Sequence, residues 1–140
     1  MSYFLKTVLL IDDNEIDNLL SEKLIRRYNF AETIIVRQSA EEALIFLKIN
    51  ALVNNQIPDL IFLDIRMPLG DGFQFLEAYK ELSDEIINRT KIVMLTSSLD
   101  DTDHEHAIEN KFVQFLLNKP LTFEALEDLK KKLQFILPSD

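Results

Sequence analysis

Residues Leu60 to Gly72 read LIFLDIRMPLGDG, and this stretch decides the fold. Leu60, Ile61, Phe62 and Leu63 run without a polar break and stop on a carboxylate, Asp64. A short, unbroken apolar run reads as a strand buried on both faces, the kind found in a parallel sheet. Pro68 has no N–H to donate, so pairing cannot continue past it. Gly70 and Gly72, the only glycines in the chain, supply freedom for a sharp turn into the next segment. A buried strand thus delivers one acid to the carboxyl edge of a sheet, where open α/β sheets bind ligands. Alone, Asp64 would be an ordinary residue starting a turn.

Four more segments have the same character. Lys6–Ile11 (KTVLLI) is a buried run that ends on Asp12 and Asp13. Thr33–Arg37 is a short β-branched strand, Lys91–Leu95 a fourth strand ending on Thr96, Ser97 and Ser98, and Phe112–Leu117 a fifth, closed by Asn118, Lys119 and Pro120. Between them the apolar period changes to that of a helix. Ile16, Leu19, Leu20, Leu24 and Tyr28 share one face. Ser39 and Glu42 form a capping box before a helix with Ala40, Ala43, Leu44 and Leu47 inward. Asp71 can cap a third helix with Phe73, Leu76 and Tyr79 inward. A polar helix over Asp101–Asn110 has few anchors beyond Ala107 and Ile108. Thr122 caps a last one with Leu126, Leu129, Leu133 and Ile136 on one face. Strand and helix alternate five times, with connections too long for hairpins. The expected fold is α/β, a doubly wound five-stranded parallel sheet with helices on both faces, in one domain over residues 1–140.

Composition narrows the function. The 140 residues are 47% hydrophobic and 28% charged, as in an ordinary globular domain. No apolar run approaches the roughly 20 residues that span a bilayer, and the N-terminus runs straight into acids, unlike a signal peptide. With no cysteine there is no thiolate or disulfide chemistry, and the cytoplasm is the expected location. A net charge of −9 argues against a nucleic-acid partner.

In a parallel sheet all C-terminal strand ends share one edge. That edge receives Asp12 and Asp13, Asp64, Thr96 with Ser97, and Lys119. Clustered carboxylates repel unless a cation lies among them, and an all-oxygen donor set suits Mg²⁺. A metal, a lysine and a hydroxyl around one carboxylate make a phosphoryl-transfer site with Asp64 as nucleophile. His104 and His106 lie two apart on a polar helix and make a poor metal pair. An aspartyl phosphatase of the haloacid dehalogenase type would want an acid two residues after its nucleophile, but that position is Arg66. A flavodoxin-like nucleotide binder would want a Gly/Ser/Thr loop after strand one, where this chain has Asp12, Asp13 and Glu15.

The order and spacing of these groups resemble the receiver domain of two-component response regulators. The likeness rests on Asp12-Asp13, on Asp64-Ile65-Arg66-Met67-Pro68 followed by Asp71-Gly72, on Thr96, and on Lys119-Pro120, and it covers essentially the whole chain. It implies the CheY-like strand order 2-1-3-4-5 and a stand-alone signalling protein, not an enzyme in the turnover sense. Mg²⁺ would be bound by Asp13, Asp64 and the Arg66 backbone carbonyl directly and by Asp12 mostly through water. Asp64 would accept the phosphoryl group from a sensor histidine kinase or phosphotransfer protein. Lys119 and Thr96 would hold its oxygens, and the Lys119–Pro120 bond would be cis. The downstream partner would read the face built from the fourth helix, fifth strand and fifth helix (Asp101–Asn110, Phe112–Leu117, Thr122–Leu137). A pseudo-receiver switched by protein contact alone is the alternative. Two departures stand out. Leu116 occupies the place of the family's usual switch aromatic, with Phe115 one residue early and so on the opposite face unless a bulge intervenes, and Gly70 replaces a bulkier turn residue.

Overall fold

The computed structural model describes residues 2–51, 53, 56–67, 71–97 and 99–137. Five strands, β1 (Leu5–Ile11), β2 (Ala31–Arg37), β3 (Leu60–Asp64), β4 (Lys91–Thr96) and β5 (Val113–Asn118), form one parallel sheet in the order β2-β1-β3-β4-β5. Around it lie α1 (Glu15–Arg27), α2 (Ala40–Ile45) prolonged by a π-helical segment (Phe46–Ala51), α3 (Gly72–Tyr79), α4 (Asp84–Arg89), α5 (Asp101–Glu109) and α6 (Phe123–Leu133). The π-helical extension and α4 have no counterpart in the sequence expectations; α4 is only six residues long, too short to show a helical period. Pro68, Gly70 and Ser98 lie outside the described residues.

Each central strand feeds two cores. Leu60 and Phe62 pack with Val8, Leu10, Val93 and Leu95 against Ile25 of α1 and Leu126, Leu129 and Leu133 of α6. Ile61 and Leu63 pack with Leu9, Ile11, Ile92 and Met94 against α2, α3 and Ala107 of α5. This double burial is why those strands carry no alternating polar residues.

Several helix faces differ from expectation. In α1, Ile16, Leu19 and Leu20 are 68%, 52% and 56% exposed, and the buried residues are Asn18 and Ile25. Asn18 turns inward because its side-chain N–H bonds the Asp12 carbonyl at 2.7 Å, clamping the helix to the end of β1. In α3 the buried aromatics are Phe75 and, as expected, Tyr79; Phe73 is half-buried, edge-on to His106. In α5, Ile108 is 72% exposed, and the buried residues are Asp103 and Ala107. Ile136 lies beyond the end of α6 and is partly exposed. The caps hold: Asn14 accepts from Asp17, Ser39 from Glu42 and Thr122 from Ala125, while Asp71 and Gln74 form a complete capping box.

Gly72 is required by space. A Cβ there would meet the Asp64 carbonyl oxygen at 2.6 Å and Met94 Cε at 2.7 Å. The tight approach is held by a 2.8 Å hydrogen bond from the Gly72 N–H to the Ile65 carbonyl. Because one obstacle is backbone, relaxation must move the strand that carries Asp64. Gly72→Ala is expected to destabilise the fold by about 1–3 kcal/mol, read by urea unfolding; an unchanged midpoint would contradict the packing argument.

Candidate functional site

The carboxyl edge of the sheet gathers the predicted groups. β1 leads into Asp12 and Asp13, β3 ends at Asp64, β4 at Thr96, and β5 leads into Lys119. Asp12, Asp13 and Asp64 each place a carboxylate oxygen within 4.8 Å of the others, with Asp12 and Asp64 buried and Asp13 exposed. The Lys119 ammonium lies 2.6 Å from Asp12 Oδ2, 3.0 Å from Asp17 Oδ2 and 3.3 Å from Asp64 Oδ1. Thr96 is buried, and its carbonyl accepts the Lys119 N–H at 2.8 Å. The Lys119–Pro120 peptide is cis. Asp12 is fixed by donating its N–H to the Arg37 carbonyl and by accepting the Asn14 N–H on Oδ1 at 2.9 Å.

This arrangement agrees with what the chain is similar to. A family model described as the response regulator receiver domain matches residues 8–131. The chain belongs to the response regulator receiver family. Among its relatives, the probable methanogenesis regulatory protein FilR2 of Methanothrix harundinacea is 30% identical over 92% of this chain and 79% of its own length. A solved two-component response regulator from Cytophaga hutchinsonii superposes with a TM-score of 0.84 at 32% identity, covering 93% of this chain and 97% of its own. A response regulator receiver protein from Dyadobacter fermentans gives 0.82 at 29% identity, covering 96% and 99%. Receiver domains pair with histidine kinases or phosphotransfer proteins. No helix among the described residues is long and apolar enough to cross a membrane.

Within this receiver, electrostatics separate the acids. Burial, then the Asp12 charge, push the Asp64 carboxyl up to about 6, against the opposing pull of Lys119. Burial alone would lower the Lys119 ammonium, but its bonds to Asp12 and Asp17 and the nearby acids outweigh that and raise it. The lysine therefore stays charged while Asp64 is held in reserve as a partly frustrated anion. All three acids offer hard oxygen ligands in one cluster, a donor set that fits a divalent cation of the Mg²⁺ class.

Arg66 follows Asp64 by two residues, and its side chain reaches α5. Nε donates to Asp103 Oδ2 at 3.0 Å, a terminal nitrogen lies 2.6 Å from the same oxygen, and Asp100 stands at 3.9 Å. The segment after Asp64 is thereby tied to a helix with only two buried residues. At the switch position, Leu116 packs with the α2–α5 core while Phe115 packs with the α1–α6 core, under the Lys132 ammonium at 5.3 Å. β5 does carry a register shift, where Ile92 pairs with Val113 but Val93 with Phe115. It lies upstream of Phe115 and does not bring the aromatic to the Leu116 face.

Sequence reasoning missed Asp17, Asn18 and Asp103. Asp17 had the signature of an ordinary first-turn acid and Asp103 that of a solvated one; only the fold shows their cationic partners. Asp64 yields a pH signature. Its folded value lies above its ordinary one, so the metal-free fold binds more protons than the unfolded chain between about pH 4 and pH 6. Stability from this group is present at low pH and lost as pH rises through about 6. Asp64→Asn should stabilise the metal-free protein at pH 7.5 by on the order of 1 kcal/mol after screening, with the gain gone near pH 4. Thermal unfolding across pH checks this; a variant less stable than the parent at pH 7.5 would contradict it.

Proposed function

We propose that this receiver is a Mg²⁺-dependent phosphoacceptor whose nucleophile is Asp64. The observation that carries the reading is the convergence of Asp12, Asp13 and Asp64 within 4.8 Å, with Lys119 bridging Asp12 and Asp64. Mg²⁺, held by Asp13, Asp64 and the Arg66 carbonyl and through water by Asp12, would neutralise charge on the transferring oxygens. Above about pH 6 the Asp64 carboxylate is ionised and can attack. A carboxylate oxygen forms the new P–O bond, the P–N bond to the donor imidazole breaks, and that nitrogen keeps the electron pair. Lys119 offsets the negative charge carried by the phosphoryl oxygens, and the Thr96 hydroxyl supplies a hydrogen bond from the end of β4.

The protein acts as a switch and not as a turnover phosphatase, because Arg66 cannot serve as general acid and is engaged by Asp103. Output runs through α5, β5 and α6. With Leu116 at the switch position, the link from site to surface is the Arg66–Asp103 pair and the Thr96 end of β4. The partners supported by this reading are a histidine kinase or phosphotransfer protein as donor and a protein that reads the α5–β5–α6 face.

Exposure to a small acyl-phosphate donor with Mg²⁺ should add one phosphoryl mass, none with chelator, and none in Asp64→Asn. Amide exchange on the same sample should change across Asp101–Glu109 and β5. Labelling that persists in Asp64→Asn would overturn the nucleophile assignment. Exchange changes confined to α1 and α2 would overturn the output face.

A further inference from the structure

Lys119 has three N–H donors and meets three carboxylates, those of Asp12, Asp17 and Asp64. Two of these have other work in the phosphoacceptor reading. Asp64 is the reacting group, and Asp12 belongs to the acid cluster that fits the cation. Asp17 stands outside that cluster and is the one partner left to hold the ammonium throughout the transfer.

Asp17 is well placed for this. It lies in the first turn of α1, where its N–H donates to the capping Asn14 Oδ1 at 3.0 Å. The same helix is clamped to β1 by the Asn18–Asp12 hydrogen bond. The backbone that carries its carboxylate is therefore fixed relative to the acids on which Lys119 acts. Lysine itself is a flexible four-carbon stem carrying a point charge, and it has little preference for one position unless restrained. A cleft of about 230 Å³ opens beside the ammonium, and Asp17 and Lys119 line its wall with Leu20, Ser21, Ser97, Pro120 and Leu121.

We propose, resting on the phosphoacceptor reading above, that Asp17 is a positioning residue that holds the Lys119 ammonium in place beside Asp64. Without it, the only carboxylates left to Lys119 are Asp12 and Asp64, the two that belong to the acid cluster, and the ammonium spends part of its time away from the transferring group. An acid in a first helical turn also serves the helix dipole, so the test needs a readout that helix stability does not move.

Two measurements supply it on Asp17→Ala, Asp17→Glu and Lys119→Ala. The first is the NMR signal of the Lys119 side-chain ammonium in the metal-free protein, with no donor present. It should be observable in the parent, and broadened or lost in Asp17→Ala. The second is phosphorylation by a small acyl-phosphate donor at saturating Mg²⁺, followed against donor concentration. Asp17→Ala should lower the saturating rate about two- to fivefold, the scale of a half-exposed ion pair, with Mg²⁺ affinity unchanged. Asp17→Glu should recover most of it, and Lys119→Ala should fall further than Asp17→Ala.

An unchanged ammonium signal and an unchanged saturating rate in Asp17→Ala would overturn the proposal. A faster rate would overturn it too, by making Asp17 a competitor for Lys119; a parallel loss of Mg²⁺ affinity would make it part of the cation site. Failure of the parent to take up phosphoryl at all is a different result. It overturns the phosphoacceptor reading, and Asp17's hold on Lys119 is then judged by the ammonium signal alone.

Discussion

A buried excess of negative charge at one edge of a parallel sheet is the constraint around which this molecule is arranged. Asp12 and Asp64 are carried there by strands with apolar side chains on both faces, so neither can withdraw to solvent without unpairing the sheet. Lys119 is drawn between them, and its one positive charge faces Asp12, Asp17 and Asp64. Burial first, and then the Asp12 charge, raise the Asp64 carboxyl. Such a site gains by taking up a cation and is altered by any change of charge on Asp64. Those are the properties a phosphorylation switch needs.

The same strands place the edge next to the elements on the α5 side of the sheet. Asp64 lies opposite Leu95 in the β3–β4 register, and Thr96 is the next residue, opposite Asn118. From Asp64 the chain passes directly to Arg66, whose guanidinium holds Asp103. Of the nine residues of α5, Asp103 is one of two that are buried, so this ion pair is one of the contacts that seat the helix. At the place of the family's usual switch aromatic this chain has Leu116, packed in the α2–α5 core.

Much of this was legible in the sequence. Unbroken apolar runs ending on Asp12-Asp13, Asp64, Thr96 and Lys119 gave both the parallel sheet and the edge where the groups meet, because strand direction does that work without any side-chain detail. What could not be read was orientation within helices and pairing across the chain. Ile16, Leu19 and Leu20 have a sound helical period, yet the face that meets the sheet is set by Asn18 bonding the Asp12 carbonyl. Period alone does not say which side is inside. Asp17 and Asp103 looked like surface acids because their partners, Lys119 and Arg66, lie 102 and 37 residues away. Gly72 looked like a turn residue, and its actual constraint, contact with the Asp64 carbonyl, exists only once β3 and α3 are packed.

The central claim is that these acids form one cation site of which Asp64 is a member. Calorimetric titration with Mg²⁺ at pH 6, in two buffers of different ionisation enthalpy, tests it most directly. Metal ligands must be deprotonated, and Asp64 sits at about 6 in the metal-free protein. The account predicts one Mg²⁺ per chain with release of about half a proton, vanishing by pH 8 and absent in Asp64→Asn. Binding with no proton release at pH 6, or undiminished binding when Asp13 and Asp64 are both replaced by asparagine, would contradict it.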